Sequence, residues 1–328
     1  MTGARRGWWP EAVSVAVGVL LPAEAMTVRI VAQRELAAGI QEIVAVDTHV
    51  GVTAVVQRPM VTTSLGGGVA GWTFQAPKTL HDGRLMAYRF RPGEQFNLHV
   101  NSGEVCIFDS PDVYRLMPRP STPAKFGRQN ALTWVGHGHA APTSRDTLIH
   151  AAKELEAWWL FGIPLRTQWV CVETDLTGRP TGARWVDQAE PSWTDRGLTR
   201  ISTAGTGAIV TPTRTWDKAT SPIGSKSWGW FDPHLSPDGS KVVWLDLVSV
   251  GLGVTSGLIV GDIATGQVRH LVPPTLAMQT DAMWLDNQTL IGSRYIDGHW
   301  NIVLIDVMSS RTDVVPNTLD CTAVHVSL

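Results

Sequence analysis

The chain has 328 residues, which is enough for one large all-β domain or for two ordinary domains with a substantial buried core. Its 27 Lys and Arg residues against 29 Asp and Glu residues give a formal charge of -2 with no basic run, so the chain lacks the charge signature of a nucleic-acid-binding protein. Its 31 glycines and 20 prolines separate short apolar runs, as in a chain with many tight turns, and 15 tryptophans supply large flat side chains.

The first 25 residues are predicted to lie outside the fold. Arg5 and Arg6, an apolar stretch at 12–21 and an A-x-A sequence at 23–25 resemble a secretory signal peptide. Alternatively, Met26 is the true translation start, because it opens a strand-like run. Localisation therefore stays open: exported if residues 1–25 are a signal peptide, otherwise cytoplasmic or part of a particle. Residues 26–328 are predicted to form a single domain, and no stretch reaches the roughly 20 apolar residues of a membrane-spanning helix.

A unit of about 44 residues recurs along the chain. Asp262 in LIVGDIATG and Asp306 in IVLIDVMSS stand 44 positions apart at the end of similar apolar runs. The same slot is filled in four further units, by Asp47, Asp109, Thr174 and Asp217. A short side-chain oxygen at a strand end accepts hydrogen bonds from turn amides, so these six residues are predicted to have structural roles.

A second turn recurs in the front half of the unit. Pro237-Asp238-Gly239 precedes one strand, His81-Asp82-Gly83 another and Asp286-Asn287 a third. Units of this length with four short strands are typical of propeller blades, so we predict an all-β fold, a six-bladed β-propeller of four-stranded antiparallel blades. The last residues, TAVHVSL, are predicted to share one blade with the N-terminal strands and so to close the ring.

Two of the three cysteines are explained by this register. Cys106 and Cys171 occupy the third-strand slot of Ile259 and Val303 in sister units. They are predicted to be small buried apolar residues without a redox role.

One unit resembles a known repeat. In DPHLSPDGSKVVWLDL, Ser236-Pro237-Asp238-Gly239 and the following Trp244 are similar to the WD40-like repeat of TolB-type propellers. Elsewhere the match is partial, because Leu80-His81 replaces Ser-Pro and Gln288 replaces Gly. The resemblance implies a six-bladed propeller, a fold that serves as a protein-docking platform, as a substrate gate on serine peptidases, or as a lyase or hydrolase.

Histidines are the candidate chemical groups, since no nucleophile elbow, Walker loop, H-E-x-x-H or EF-hand pattern occurs. His137 and His139 are on one face if their segment is a strand, and with His150, His234 or His81 they form a candidate metal site. The alternative is a hydrogen-bonded pair at a strand end. His234 and Asp232 are predicted to lie on an innermost strand, where they and His81 are candidate acid–base residues or brace a neighbouring blade.

Tryptophans are the candidate binding residues. Trp158, Trp159, Trp169 and Trp185 form the densest aromatic cluster, beside an inserted loop at 118–165. Most of the remaining tryptophans are predicted to fill the wedges between blades.

Two functions fit these features. The first is a non-catalytic interaction module without a cofactor, which presents loops on one face to a protein or carbohydrate partner, in an exported complex or in a phage or secretion particle. The alternative is a channel-type hydrolase or lyase with a histidine-lined site and a divalent metal ion. Neither uses nucleic acid or a membrane span.

Overall fold

The computed structural model describes residues 30–326, and it omits the following segments: 38–39, 64–68, 81, 91–103, 111–112, 118–139, 143–146, 161–162, 188–189, 194–199, 205–207, 212, 222, 224–226, 252, 275–277 and 279–281. In the described residues every regular element is a β-strand. The first eight strands are β1 (Ile30–Ala37), β2 (Ile40–Asp47), β3 (Gly51–Gln57), β4 (Met60–Thr63), β5 (Val69–Thr79), β6 (Leu85–Phe90), β7 (Glu104–Ser110) and β8 (Val113–Leu116).

The middle of the chain holds the next eight strands. They are β9 (Ala140–Pro142), β10 (Thr147–Leu160), β11 (Ile163–Asp175), β12 (Pro180–Asp187), β13 (Glu190–Trp193), β14 (Arg200–Ala204), β15 (Ala208–Val210) and β16 (Thr215–Asp217). The last nine are β17 (Ser227–Leu235), β18 (Lys241–Val250), β19 (Gly253–Asp262), β20 (Val268–Val272), β21 (Met283–Trp284), β22 (Thr289–Ile296), β23 (His299–Asp306), β24 (Thr312–Val314) and β25 (Cys321–Val326).

These strands form six antiparallel sheets in the described part of the chain, and the sheets are the blades of a β-propeller. We number them by their first strands: blade 1 is β25-β1-β2-β3, blade 2 is β4–β8, and blades 3 to 6 are β9–β12, β13–β16, β17–β20 and β21–β24. The innermost strands of neighbouring blades contact one another: β25 with β5, β5 with β9, β13 with β17, β17 with β21, and β21 with β25. The all-β propeller predicted from the sequence is therefore confirmed.

Ring closure follows the prediction. β25 pairs antiparallel with β1, with Ile30 opposite Val326 and Arg34 opposite Cys321. The C-terminal strand thus becomes the innermost strand of blade 1, whose other three strands come from the N-terminal part of the chain.

Hydrophobic clusters hold the blades together. One lies between blades 6 and 1 and includes Val44, Ile291, Ile302 and Val324. Others join blade 1 to 2, blade 2 to 3, blade 4 to 5 and blade 5 to 6. A middle strand such as β19 is covered on both faces, so it has a continuous buried apolar run, whereas the interior of the outer strand β3 alternates between partly exposed and exposed residues.

Blade 2 differs from the predicted four strands, because it has five. β5 is long enough to pair twice: its first half pairs with β4 and its second half pairs with β6. The additional hairpin is therefore an extension of the innermost strand.

Two of the six residues predicted to cap the turn after the third strand, which we call turn anchors, differ from the structure. In blade 3 the turn amides of Thr177 and Arg179 donate to the carboxylate of Asp175, at 2.8 and 3.0 Å, so Asp175 is the anchor and the neighbouring Thr174 is a buried strand residue. In blade 4, Asp217 ends the fourth strand, β16. The third strand of that blade ends before Thr211, whose hydroxyl accepts the Arg214 amide at 2.9 Å.

A repeated arginine contact confirms the register of blade 4. Arg214, directly before β16, donates to the carbonyl oxygens of Ile263 and Ala264 in the turn of blade 5. Arg269 on β20 donates in the same way to the carbonyl oxygen of Val307 in the turn of blade 6. Arg214 lies directly before the outermost strand of blade 4 and Arg269 lies on the outermost strand of blade 5, so Asp217 cannot occupy the slot of Asp262.

The predicted Asp-Gly turn of blade 5 has the expected bonding. The carboxylate of Asp238 accepts hydrogen bonds from the Ser236 hydroxyl at 2.6 Å and from the amide and hydroxyl of Ser240 at 3.0 and 2.8 Å. These bonds, the Ser236 bond first, lower the pKa of Asp238 to about 2. Gly239 has a φ of 74°, a conformation that glycine adopts without strain.

We expect Asp238→Ala to lower the free energy of unfolding by about 1–2 kcal/mol, because three donors lose their acceptor. Urea unfolding followed by circular dichroism measures the change. Asp313→Ala is the matched control, since Asp313 makes only an exposed ion pair with Arg311, and such pairs contribute little. Equal stability of the two variants would contradict the assigned role of Asp238.

Candidate functional site

Three basic side chains on strands at the centre of the ring interact electrostatically, and we call them the rim cluster: Lys78 on β5, His234 on β17 and His325 on β25. Lys78 and His234 occupy equivalent positions, four residues before the turn aspartates Asp82 and Asp238. β17 and β25 are the innermost strands of blades 5 and 1. In blade 2, β5 is the strand that contacts β25 and β9 at the centre. The predicted position of His234 on an innermost strand is thus confirmed.

The bonding of His325 assigns the tautomer of its ring. The side chain is buried, and its Nδ1 lies 3.2 Å from both the amide nitrogen and the hydroxyl of Thr79. Because an amide N–H can only donate, Nδ1 accepts, and the proton of the neutral imidazole is on Nε2. The contact joins blade 1 to blade 2 directly at the point of ring closure.

Both rim histidines are neutral near pH 7. Burial first, and then repulsion from Lys78 and from His234 in its protonated form, lowers the pKa of His325 to about 3. Burial and then Lys78 lower the pKa of His234 to about 4. A general base works best when its pKa is close to the operating pH, so both imidazoles are weak bases for catalysis. The rim cluster therefore combines a lysine ammonium with two neutral imidazoles.

The main chain of His234 has a structural role. Its carbonyl oxygen accepts a hydrogen bond from the indole nitrogen of Trp284 at 2.9 Å, which joins blade 5 to blade 6. This bond fits the alternative interpretation from the sequence, in which His234 braces a neighbouring blade.

The other predicted histidines are not tested by the structure. His81, His137 and His139 lie outside the described residues, and for His150 and Asp232 only the strand position is described, on β10 and β17. Among the described residues, no group of three or more His, Cys, Asp and Glu side chains is placed to hold a metal ion.

The predicted aromatic cluster falls on one sheet. Trp158 and Trp159 lie on β10, Trp169 on β11 and Trp185 on β12, while the positions of their side chains are outside the described part of the structure. The segment 118–165 is not wholly a loop, because β10 extends to Leu160 and pairs with β11. β9 pairs only with residues 148–150, so the β10–β11 hairpin continues beyond it as a two-stranded ribbon.

The predicted strand positions of Cys106 and Cys171 are confirmed, and burial is confirmed for Cys106, while the side chain of Cys171 lies outside the described part of the structure. Cys106 lies on the third strand of blade 2 and is fully buried, and burial raises the pKa of its thiol to about 12. Cys171 lies on the third strand of blade 3, β11, opposite Ala151.

The antiparallel blades give the propeller two different faces. The turns between first and second strands and between third and fourth strands lie on one face, where Asp47, Asp238, Asp262 and Asp306 cap their own turns. The opposite face carries the turns between second and third strands and the connections between blades. We call it the ribbon face, after the β10–β11 ribbon.

An exposed apolar patch lies on the ribbon face where the ring closes, and we call it the closure patch. Leu36, Tyr295 and Leu319 are 53%, 48% and 54% exposed. The main chain brings them together: the amide of Asp320, next to Leu319, donates to the carbonyl of Trp300 at 2.7 Å, and the amide of Glu35, next to Leu36, donates to the carbonyl of Asp320 at 3.0 Å. Trp300 packs against Tyr295, with ring centroids 5.4 Å apart.

The rim of the closure patch is acidic. Glu35 and Asp297 are exposed, and among the described residues the carboxylate of Asp320 pairs with the imidazole of His299 alone, at 3.1 Å. Arg34 is the nearest described cation on β1, and its charge is compensated by Glu42. An apolar surface with an acidic border is typical of a contact site for another macromolecule.

Sequence reasoning missed Lys78, His325 and the closure patch. For the two basic residues the sequence contains a signal: Lys78 precedes Asp82 by the same four positions that separate His234 from Asp238, and TAVHVSL, which contains His325, is the predicted closing strand. The patch had no such signal, since its three apolar residues come from blades 6 and 1 and from the connection between them.

Comparisons with known proteins point to the fold. No protein-family model matches the chain, and no curated protein matches it in sequence. Among solved structures it is similar to TolB from Acinetobacter baumannii, with a TM-score of 0.53 and 13% identity, over 91% of this chain and 66% of that chain. A puromycin-hydrolyzing peptidase of Mycobacterium tuberculosis matches at a TM-score of 0.43 and 17% identity, over 88% of this chain and 45% of that chain. An oligogalacturonate lyase in complex with manganese matches at a TM-score of 0.42 and 13% identity, over 86% of this chain and 82% of that chain. At these identities the likeness to TolB shows the propeller fold alone.

No helix in the described residues is long and apolar enough to cross a membrane.

Proposed function

We propose that this TolB-like β-propeller is a non-catalytic binding module that docks a protein partner on its ribbon face. The observation that carries the proposal is the closure patch, in which Leu36, Tyr295 and Leu319 are about half exposed although the main chain around them is firmly hydrogen-bonded. A rigid apolar surface with a polar border costs little ordering entropy when a partner binds. The docking needs no cofactor.

The partner that fits is a protein segment with apolar side chains flanked by Lys or Arg. Leu36, Leu319 and the ring of Tyr295 offer the apolar contact, while Glu35 and Asp297 offer carboxylates at its border. Complementary charge at the border of an interface steers association and selects the partner. A carbohydrate partner is less well matched, because no exposed tryptophan accompanies Tyr295 among the described residues of the patch.

A channel enzyme is the second candidate function, and the rim cluster is the observation that favours it. Lys78 beside two imidazoles would bind an anionic substrate, but histidines with pKa values of about 3 and 4 are poor acid–base groups at neutral pH. The two functions are distinguished by Lys78→Met, which removes the cation at the rim and leaves partner binding at the closure patch unchanged.

The docking proposal predicts site-specific crosslinking followed by a loss of affinity. A photoreactive amino acid at position 295 is expected to crosslink to a protein that mass spectrometry identifies, and the same residue at position 308 is expected not to. With that protein purified, Leu319→Glu should weaken binding at least tenfold, because it places a charge in the apolar centre of the contact. Isothermal titration calorimetry measures the dissociation constants.

Met308→Glu is the matched control, since Met308 is 72% exposed on the opposite face, in the turn after β23. Both variants should melt at the temperature of the wild type. Equal affinity of Leu319→Glu and the wild type, or equal crosslinking from positions 295 and 308, would rule out the closure patch as the docking site.

A further inference from the structure

The β10–β11 ribbon has no flanking strands over most of its length. β9 pairs with β10 only at residues 148–150, and β12 pairs with β11 only from Trp169 to Thr174. Among the described strands, residues 154–160 and 163–168 therefore pair only with each other. At about 3.3 Å per residue, the arm formed by residues 154–160 is about 23 Å long. The far end of the ribbon thus lies beyond both neighbouring strands of blade 3.

The chemical character of the ribbon changes at one cross-strand pair. Glu156 is opposite Arg166, so an acidic and a basic residue are paired there. Nearer to the blade the ribbon stays polar, with Glu154 opposite Gln168. Beyond the Glu156–Arg166 pair every described residue is apolar, and we call these residues the ribbon tip: AWWL at 157–160 and IPL at 163–165.

Both faces of the ribbon tip are apolar. Trp159 is opposite Pro164 and Leu160 is opposite Ile163, and consecutive pairs of a ribbon belong to opposite faces. A β-hairpin that lies on a protein surface buries one face, so its residues alternate between apolar and polar. The ribbon tip lacks that alternation, and a flat partner surface would cover only half of it. An apolar medium that surrounds the tip fits better.

The dimensions of the ribbon tip match the interfacial layer of a lipid bilayer. The tip from Glu156 to Leu160 is about 13 Å long, which is enough to pass the headgroups and too short to span a hydrocarbon core of about 30 Å. The unpaired strand edges of the ribbon would be unsatisfied in the core, but water and headgroups satisfy them at the interface. Tryptophan, present at positions 158 and 159, is enriched at that same depth.

The charges of the ribbon favour no particular headgroup. Lys153 and Arg166 on its strands are balanced by Glu154 and Glu156. Attraction to anionic lipids needs an excess of Lys and Arg near the surface, so it makes little contribution here. Insertion of the ribbon tip would therefore depend on its apolar residues, and a neutral bilayer should suffice.

We propose that the ribbon tip inserts into the interfacial layer of a lipid bilayer and so anchors the propeller to a membrane surface. The ribbon face is then turned toward the membrane, and the arm of about 23 Å keeps the blades away from the lipid. The contact is peripheral and is not a membrane span. It rests on the ribbon alone, so it is independent of docking at the closure patch.

The test is flotation of the full chain with vesicles of phosphatidylcholine. We expect the wild type to float with the vesicles, equally at low and at high salt, because the contact is apolar. Trp159→Glu should lower the fraction bound to vesicles about tenfold or more, because a carboxylate is disfavoured at this depth. A second variant replaces residues 157–165 by Asn-Gly, which closes a two-residue hairpin directly after the Glu156–Arg166 pair. It should lose vesicle binding, and it decides the result if Trp159→Glu does not fold.

The control is Val254→Glu, which should float like the wild type. Val254 is 62% exposed directly after the equivalent turn of blade 5, between β18 and β19, on the same face. Wild-type protein that does not bind the vesicles, as expected if the ribbon tip docks another protein, would overturn the proposal. Equal flotation of the wild type and both tip variants, as expected if another segment binds lipid, would also overturn it.

Discussion

Deletion of residues 321–328 is expected to unfold the propeller. The deletion removes β25, which pairs with β1 and buries Cys321, Val324 and Val326 in the cluster between blades 6 and 1. Burial of a valine side chain contributes about 1.5–3 kcal/mol, and the strand's hydrogen bonds are lost as well. The sum approaches the total stability of about 5–15 kcal/mol that is typical of a folded domain.

The deletion also opens the ring. Without β25 the edge of β1 is unpaired, and β5 and β21 lose the strand that lies between them at the centre. A thermal melt by circular dichroism should then show no cooperative transition, and the protein should elute as an expanded or aggregated species. Deletion of residues 327–328 alone is the control and should leave the melt unchanged. A cooperative melt of the longer deletion near the wild-type temperature would contradict the closure of the ring by β25.

Acid is expected to destabilise the propeller well above the pH at which carboxylates become protonated. In the unfolded chain His325 titrates near pH 6.5, whereas burial lowers its pKa to about 3 in the folded protein. The unfolded state therefore binds more protons between these values. The stability contributed by the neutral imidazole is complete above about pH 6.5 and is lost progressively as the pH falls toward 3. By pH 4 the loss from His325 alone is about 3 kcal/mol, and His234, with a pKa of about 4, adds to it.

The variant His325→Asn isolates this effect. The side-chain oxygen of asparagine can accept the Thr79 amide in place of Nδ1, but it does not titrate. Urea unfolding at pH 7.5 and at pH 4.5 should show a smaller loss of stability in this variant than in the wild type. His299→Asn, on an exposed histidine, should lose as much stability as the wild type. An equally large acid loss in His325→Asn would show that His325 is not the group responsible.

The ring could be predicted from the sequence because its turns have distinctive residues. Asp238-Gly239 and Asp82-Gly83 mark the turns between first and second strands, and Asp262 and Asp306 mark those between third and fourth. The closing strand could be predicted because the N-terminal segment supplies only three strands, β1 to β3, and a blade needs a fourth. These signals are local, and local hydrogen bonding to the main chain decides them.

The register of blade 4 could not be predicted correctly for the same reason. The segment following Asp217 resembles the segment following Asp262, and the carboxylate of Asp217 accepts a nearby amide, that of Ala219, at 2.8 Å. The pairing of β15 with β16 and the contacts of Arg214 with blade 5 show that Thr211 is the anchor of the third strand. A similar turn at the end of a different strand therefore gave a false repeat.

The sites depended on contacts that no local pattern contains. Lys78 lowers the pKa values of His234 and His325 because three innermost strands converge at the centre of the ring. The spacing of these residues along the chain does not indicate that they are close. Long-range packing places such groups, so sequence patterns alone miss them.

The central claim is that both ends of the described chain meet in blade 1 and that this junction builds the rim cluster and the closure patch. Native-state hydrogen exchange of the β25 amides tests it most directly. We expect the amides of residues 321–326 that bond to β1 to exchange only in the global unfolding event, together with those of β19 and β22. Exchange of β25 at the rate of an unfolded chain, while β19 and β22 stay protected, would contradict it.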